Sequence, residues 1–214
     1  MAASIGATPI LDRSGYVKRG LVLEYITIAY NSLEGILAII AGVLAGSIAL
    51  VGFGADSVIE VTSGLGLIWR LHSDADILTR ERAERISLRI VGASFVALAV
   101  YVTWDAVTAL IRSEAPEQST IGIVLAAVSL IVMPLLARAK RQVAAQIESA
   151  ALTADAKQTE LCTYLSAILL GGLMLNALLG WWWADPVAAL IMVPIIAKEG
   201  ITALQGKTCC ASCH

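Results

Sequence analysis

Residues 46–66 read GSIALVGFGADSVIEVTSGLG, an apolar, glycine-rich stretch that carries two carboxylates, Asp56 and Glu60. Because a membrane-spanning helix needs about 20 mostly apolar residues, this stretch is long enough to cross a bilayer. Residues four apart lie on nearly the same face of a helix, so the two acids share a face. A carboxylate inside the bilayer is costly unless it is paired, hydrated or bound to a cation. The pair therefore predicts a functional site.

The composition of the whole chain is also that of a membrane protein. Of its 214 residues, 58% are hydrophobic and 15% are charged, whereas soluble domains have about 25% charged residues. The formal net charge of −2 argues against nucleic acid as a partner. The apolar segments hold no nucleophile–base pair and no His-rich site, so we expect neither an enzyme nor a prosthetic group.

Six segments are long and apolar enough to cross a membrane, which predicts an all-α, polytopic fold. The predicted transmembrane helices are 21–44, 47–69, 90–111, 120–138, 158–180 and 185–204. Residues 1–20 are predicted to be an N-terminal segment, residues 21–204 the transmembrane domain, and residues 205–214 a Cys/His-rich tail with no soluble domain after it. Asp185 is predicted to be the N-cap of the sixth span, with Pro186 at the first helical position.

The basic residues predict the orientation. Of the 15 Lys and Arg residues, all but Arg112 fall on one side of the six-span arrangement, and Lys140 and Arg141 are counted there, between the fourth and fifth spans. By the positive-inside rule, both termini are cytoplasmic. On the same side, residues 72–89 are predicted to be a polar loop, and residues 139–157 a helical continuation of the fourth and fifth spans.

A second group of metal-ligand side chains begins the fifth span. Asp155, Gln158 and Cys162 are spaced three and four apart and share one helical stripe. Carboxylate oxygen with thiolate sulfur suits zinc or a similar divalent ion. Together with Asp56 and Glu60, this stripe would complete a tetrahedral site.

Each of these residues also has a structural interpretation that the sequence leaves open. The two acids of the second span can be hydrogen-bonded to Ser or Thr of a neighbouring helix, Asp155 can cap the fifth span, and Cys162 can be a small buried apolar residue. Glu34 in the first span, with Asn31 on the same face, is either part of a proton or access path or a packing acid bonded to that amide.

The last six residues, CCASCH, form a third candidate site. Closely spaced Cys and His residues are typical of metal capture, although exposed thiols can also be redox-active. The candidate ligands are Cys209, Cys210, Cys213 and His214.

Over roughly residues 20–205 the chain resembles the cation diffusion facilitators. The stretch GSIALVGFGADSVIEV is similar to that family's glycine–serine start and Asp-x-x-x-Asp pair, with Glu60 at the second Asp position. The stretch ADAKQTELC is similar to its Ala-Asp-x-x-His-x-x-x-Asp, with Gln158 at the His position and Cys162 at the last Asp position. Family members usually carry a cytoplasmic C-terminal domain, so the chain is similar to the short, membrane-only members.

The resemblance implies a multi-pass transporter of the plasma membrane, the inner membrane in bacteria. It would export a divalent cation from the cytoplasm in exchange for protons by alternating access, as a homodimer in the lipid bilayer. Zn2+ is the first choice of substrate, and Cd2+, Fe2+ and Co2+ are the alternatives. Two other functions stay open: a metal-binding regulatory subunit that does not transport, and a proton-coupled exporter of small organic cations.

Overall fold

The computed structural model describes residues 10–72, 77–113 and 117–205. These residues form six α-helices, and each includes a segment long and apolar enough to cross a membrane. The prediction of an all-α, six-span membrane protein is confirmed. The tail ligands predicted from the sequence, Cys209, Cys210, Cys213 and His214, lie outside the described residues. The helices are α1 (Ile10–Ala45), α2 (Ile48–His72), α3 (Ile77–Arg112), α4 (Thr120–Ile147), α5 (Ala150–Leu179) and α6 (Ala184–Leu204).

The helix ends differ from the predicted spans mainly on the side that carries the basic residues. The predicted loop over 72–89 is wrong for residues 77–89, which form the first turns of α3. This segment is polar but contains no Gly or Pro, and its Leu, Arg, Glu and Ala residues favour a helix. The predicted helical continuation over 139–157 is confirmed, because only two residues separate α4 from α5.

Those two residues, Glu148 and Ser149, form the tight turn between α4 and α5. Glu148 has left-handed backbone geometry with φ of 49°, and it ends α4. Ser149 caps α5, because its Oγ accepts a hydrogen bond from the backbone N–H of Leu152 at 3.2 Å. Asp155 lies well inside α5, so its interpretation as the cap of the fifth span is wrong.

The helices pair in a pattern that places α2 at the centre of the bundle. α1 packs along α2, α4 along α5, and α3 along α6, while α2 also contacts α3, α5 and α6. The main apolar core includes the fully buried side chains Phe53, Leu165, Leu169 and Met192. Because successive spans alternate in direction, α2 and α5 run antiparallel where they meet.

Helices α3 and α6 approach each other closely at Gly92 and Gly200. A Cβ atom built on Gly92 would lie 2.8 Å from the backbone carbonyl oxygen of Gly200. Small residues at a contact between membrane helices let the backbones pack closely, which contributes dispersion energy. This contact fixes α3 against α6 on the side of the bundle away from α1.

Asp185 caps a helix, but not the predicted one. The N-cap of α6 is Trp183, which makes no side-chain cap hydrogen bond. The Asp185 carboxylate instead binds the start of α2, where it accepts hydrogen bonds from Ser47 Oγ at 2.5 Å, Ile48 N at 2.9 Å and Ala49 N at 3.3 Å. A negative charge is stabilising at a helix N-terminus. The first turn of α2 is thereby attached to α6.

Candidate metal site

Asp56 and Glu60 are buried in the middle of α2. Helix α2 begins at Ile48, so at 1.5 Å per residue the two acids lie about 12 and 18 Å along it. Their relative exposures are 1% and 0%, so water does not reach either carboxylate. Two buried acids one turn apart need donors or a cation from a neighbouring helix.

Cys162 of α5 supplies the contact to both carboxylates. Its Sγ lies 2.9 Å from Asp56 Oδ2 and 3.1 Å from Glu60 Oε2, and the residue is 1% exposed. The thiol has one proton, which it donates to a pair of acceptors held one turn apart. The structure thus brings together three of the five ligands that the sequence predicts, from two antiparallel helices.

These sulfur–oxygen distances are those of hydrogen bonds. Around a tetrahedral zinc ion, with Zn–S of about 2.3 Å and Zn–O of about 2.0 Å, sulfur and oxygen ligands lie about 3.5 Å apart. In this conformation no group of three or more His, Cys, Asp or Glu side chains in the described part of the chain is arranged to hold a metal ion. A metal ion would displace the thiol proton. Each sulfur–oxygen distance would then increase by about half an ångström.

Thr159, rather than Gln158, completes the hydrogen bonding of Glu60. Thr159 Oγ1 donates to Glu60 Oε1 at 2.6 Å. Gln158 is buried, but its Nε2 has no hydrogen-bond partner among the described residues. Thr159 is one turn after Asp155 and three residues before Cys162, so it fits the stripe facing α2 as well as Gln158 does. The spacing therefore makes Thr159 a candidate equal to Gln158, and the structure decides between them.

Asp155 belongs to a second buried cluster, together with Lys140 and Glu24. Lys140 Nζ donates to Asp155 Oδ2 at 2.5 Å and lies 3.2 Å from Glu24 Oε1. Lys140 lies in the predicted helical continuation of the fourth span, but its side chain is fully buried in α4 and is not an exposed basic group. Lys140 lies on the same helical stripe as the buried residues Met133 and Ala137. A count of basic residues along the sequence does not take this spacing into account.

Glu34 lies beside the acids of α2. Its Oε2 accepts a hydrogen bond from Ser57 Oγ at 3.1 Å, and its Oε1 accepts one from Tyr30 OH at 3.0 Å. Asn31 is fully buried, and within the described residues neither polar atom of its amide has a hydrogen-bond partner. Glu34 is therefore bonded to Tyr30 and to α2, and not to Asn31 as the packing interpretation requires.

Comparison with known proteins identifies the family of the transmembrane region. A family model described as the cation efflux transmembrane domain matches residues 25–205. An uncharacterized transporter of Methanocaldococcus jannaschii is 28% identical over 188 residues, which cover 85% of this chain. The chain spans 65% of the length of that relative. The matched region contains both carboxylates of α2 and the thiol of α5.

Proposed function

The chain belongs to the cation efflux family. From that premise we propose that it is a cation transporter, which exports a divalent metal ion from the cytoplasm in exchange for protons. Zn2+ is the proposed substrate, and Cd2+ is the closest alternative. Membership of the family implies a transported metal cation. The choice of ion, the exchanged proton and the direction of transport are inferred from the chemistry of the site and from the basic residues.

The observation that carries the proposal is the contact of the Cys162 thiol with Asp56 and Glu60. One sulfur and two carboxylate oxygens form a ligand set for borderline-soft divalent ions such as Zn2+ and Cd2+, whereas alkali and alkaline-earth ions bind oxygen alone. An exporter of organic cations would have no use for the thiol. Three protein ligands leave a fourth position for water, which suits an ion that is bound and released in each cycle.

The proposed ligand set is narrower than the sequence predicts. Asp155 has a cation partner in Lys140, and Gln158 has no described contact with either acid of α2. We therefore restrict the ligands to Asp56, Glu60 and Cys162.

Exchange with protons follows from the chemistry of these ligands. A thiol must lose its proton to bind a metal ion, so binding releases a proton and reprotonation releases the metal. The Cys162 thiol lies within hydrogen-bond distance of both carboxylates, so the proposed metal ligands are also the groups that can carry protons, which supports the exchange. Glu34 adjoins this site through Ser57, which supports a path for protons or cations past Glu34 and Asn31.

Alternating access is supported by the burial of the site. Asp56, Glu60 and Cys162 are each at most 1% exposed, so neither side of the membrane has direct access in this conformation. Many carriers bind the substrate near the middle of the membrane and expose that site to one side at a time. The Cys/His tail is proposed to collect the metal before it enters.

Metal flux into proteoliposomes tests the proposal. The full chain is reconstituted with an acidic lumen, and Zn2+ or Cd2+ uptake is followed with and without the pH gradient. We expect gradient-dependent uptake that is lost in Asp56→Asn and in Cys162→Ala. The matched control is Glu160→Gln, because this exposed acid of α5 pairs with Arg141 at the surface.

Three results would contradict the proposal. Metal binding without flux would indicate a regulatory subunit. Flux of organic cations that survives Cys162→Ala would indicate the other exporter class. Metal flux unchanged by Asp56→Asn would remove α2 from the mechanism.

A further inference from the structure

Lys140 is a charged residue at an unexpected place, within a membrane-spanning segment and fully buried. An ammonium group inside a bilayer is stable only with nearby counter-charges or polar groups. The position is close to the proposed metal site, because Lys140 Nζ is 3.4 Å from Thr159 Oγ1, the hydroxyl that donates to Glu60. One hydroxyl group therefore lies between a fixed cation and a proposed metal ligand.

The groups around the ammonium all present oxygen atoms, and they come from two other helices. Asp155 on α5 and Glu24 on α1 supply two buried carboxylates, and Thr159 supplies a hydroxyl. Ser63 on α2 extends the cluster through a 3.4 Å contact with Asp155. Carboxylates and hydroxyls are the ligands of hard cations. The ammonium lies where these carboxylate and hydroxyl oxygen atoms converge.

The ammonium does not use all the capacity of these oxygens. Lys140 Nζ donates to Glu24 Oε2 at 3.3 Å, whereas Glu24 Oε1, 3.2 Å from Nζ, is a buried atom without a hydrogen-bond partner among the described residues. Without the positive charge, Glu24 and Asp155 would be two unneutralised acids inside the membrane, next to Asp56 and Glu60. Such a pair would attract a divalent cation away from the sulfur-containing site.

We propose that Lys140 is a tethered cation that fills a second, all-oxygen carboxylate site and thereby restricts divalent metal binding to Asp56, Glu60 and Cys162. Lys140 is a positioning residue, because it touches no proposed ligand and acts through Asp155, Glu24 and Thr159. The inference rests on the proposed function for the identity of the first site. It also assigns to Asp155 the role of a counter-ion to Lys140 instead of a metal ligand.

Cadmium binding to the full chain in detergent provides the test. The background carries Cys209→Ser, Cys210→Ser and Cys213→Ser, so that Cys162 is the remaining thiol. Equilibrium dialysis counts Cd2+ ions per chain, and the ultraviolet cadmium–thiolate charge-transfer band reports on Cys162 alone. The two readouts separate ions at the sulfur site from ions elsewhere.

The decisive variant is Lys140→Gln. We expect one Cd2+ in the background chain and a second in Lys140→Gln, with no gain in the thiolate band because the new site contains no sulfur. Adding Asp155→Asn to Lys140→Gln should return the count to one. Lys140→Arg keeps the charge and should bind one ion, as should Arg141→Gln, which removes a neighbouring but exposed positive charge.

A count of one in Lys140→Gln, or of two in the background chain, overturns the inference. If Lys140→Gln does not fold, the single variants Asp155→Asn and Glu24→Gln, which retain Lys140, provide the test. Both should bind one Cd2+ and show the full thiolate band. Loss of the ion in either variant would make that acid a ligand and overturn the inference. Failure of the proposed function would give a different result from failure of this inference. The thiolate band would be normal, but proteoliposomes would show no metal flux.

Discussion

The Sγ atom of Cys162 lies 2.9 Å from Oδ2 of Asp56, so a thiol on α5 donates a hydrogen bond to a carboxylate on α2 within the membrane-spanning bundle. This relationship joins the two helices that the sequence marks as functional. It also means that the binding of a soft cation and the loss of a proton involve the same atoms.

Replacing the sulfur of Cys162 by oxygen should change the preference among metals. In Cys162→Ser the hydroxyl can still donate to the carboxylates, so we expect the fold to persist. Cd2+ affinity should fall at least tenfold, or about 1.4 kcal/mol, and Zn2+ affinity should fall less because zinc accepts oxygen ligands readily. Competition with a chelator, in the background without tail thiols, measures both. An equal loss for the two ions would contradict a special role for sulfur.

Removing the hydroxyl of Thr159 should weaken metal binding although Thr159 is not a proposed ligand. Thr159→Val keeps the shape of the side chain but deletes the 2.6 Å hydrogen bond to Glu60. Groups that orient metal ligands typically contribute about 10- to 100-fold in affinity, and we expect a loss in that range by calorimetry.

Thr163→Val is the matched control for this prediction. Thr163 is one turn further along α5, and its buried Oγ1 has no hydrogen-bond partner in the described residues. Its replacement should leave affinity unchanged. A comparable loss in both variants would indicate a general effect on α5 packing.

Asp185 should contribute to stability through α2. Asp185→Ala removes the acceptor of three hydrogen bonds at the start of that helix, and loss of an N-cap costs about 0.5–2 kcal/mol. A lower thermal unfolding midpoint in detergent is the expected result. Asp105→Ala is the control, since Asp105 accepts one 3.3 Å hydrogen bond from Tyr101 of its own helix. Equal shifts in the two variants would argue against the cap.

Close packing of α3 on α6 should make Gly92 intolerant of a methyl group. In a helix interior, alanine is more favourable than glycine by about 1 kcal/mol, but at Gly92 the added Cβ would lie 2.8 Å from backbone atoms of α6. We expect Gly92→Ala to be destabilising by about 1–3 kcal/mol. Gly171→Ala, which meets no atom within 4 Å, should be stabilising instead. Thermal unfolding of the two variants compares them directly, and a stable Gly92→Ala would refute the close contact.

The six helices were predictable because apolar length is a local property of the sequence. The grouping of Asp56, Glu60 and Cys162 could also be predicted, since three- and four-residue spacings determine which side chains share a helix face. The same spacing rule accepts Gln158 and Thr159 equally, and only the packing of α5 on α2 distinguishes them. The orientation of the termini stays a prediction.

The distant partners of Asp185 and Lys140 were not predicted. Asp185 caps a helix that begins 137 residues earlier, while its neighbour Pro186 gave a strong local signal for capping α6. The burial of Lys140 was not predicted, because the positive-inside rule counts charges without reference to the helix face on which they lie. Its second acid, Glu24, is 116 residues away. In both cases a long-range contact determines the role of a charged residue.

The two-residue turn at Glu148 and Ser149 has a consequence for biogenesis. Lys140 and Asp155 are only 15 residues apart, on the two arms of one helical hairpin. Closing so short a loop costs little entropy, so the ammonium can meet its counter-ion as soon as the hairpin forms. The hairpin would then enter the bilayer with this lysine already neutralised, and Glu24 of α1 would join when the bundle assembles.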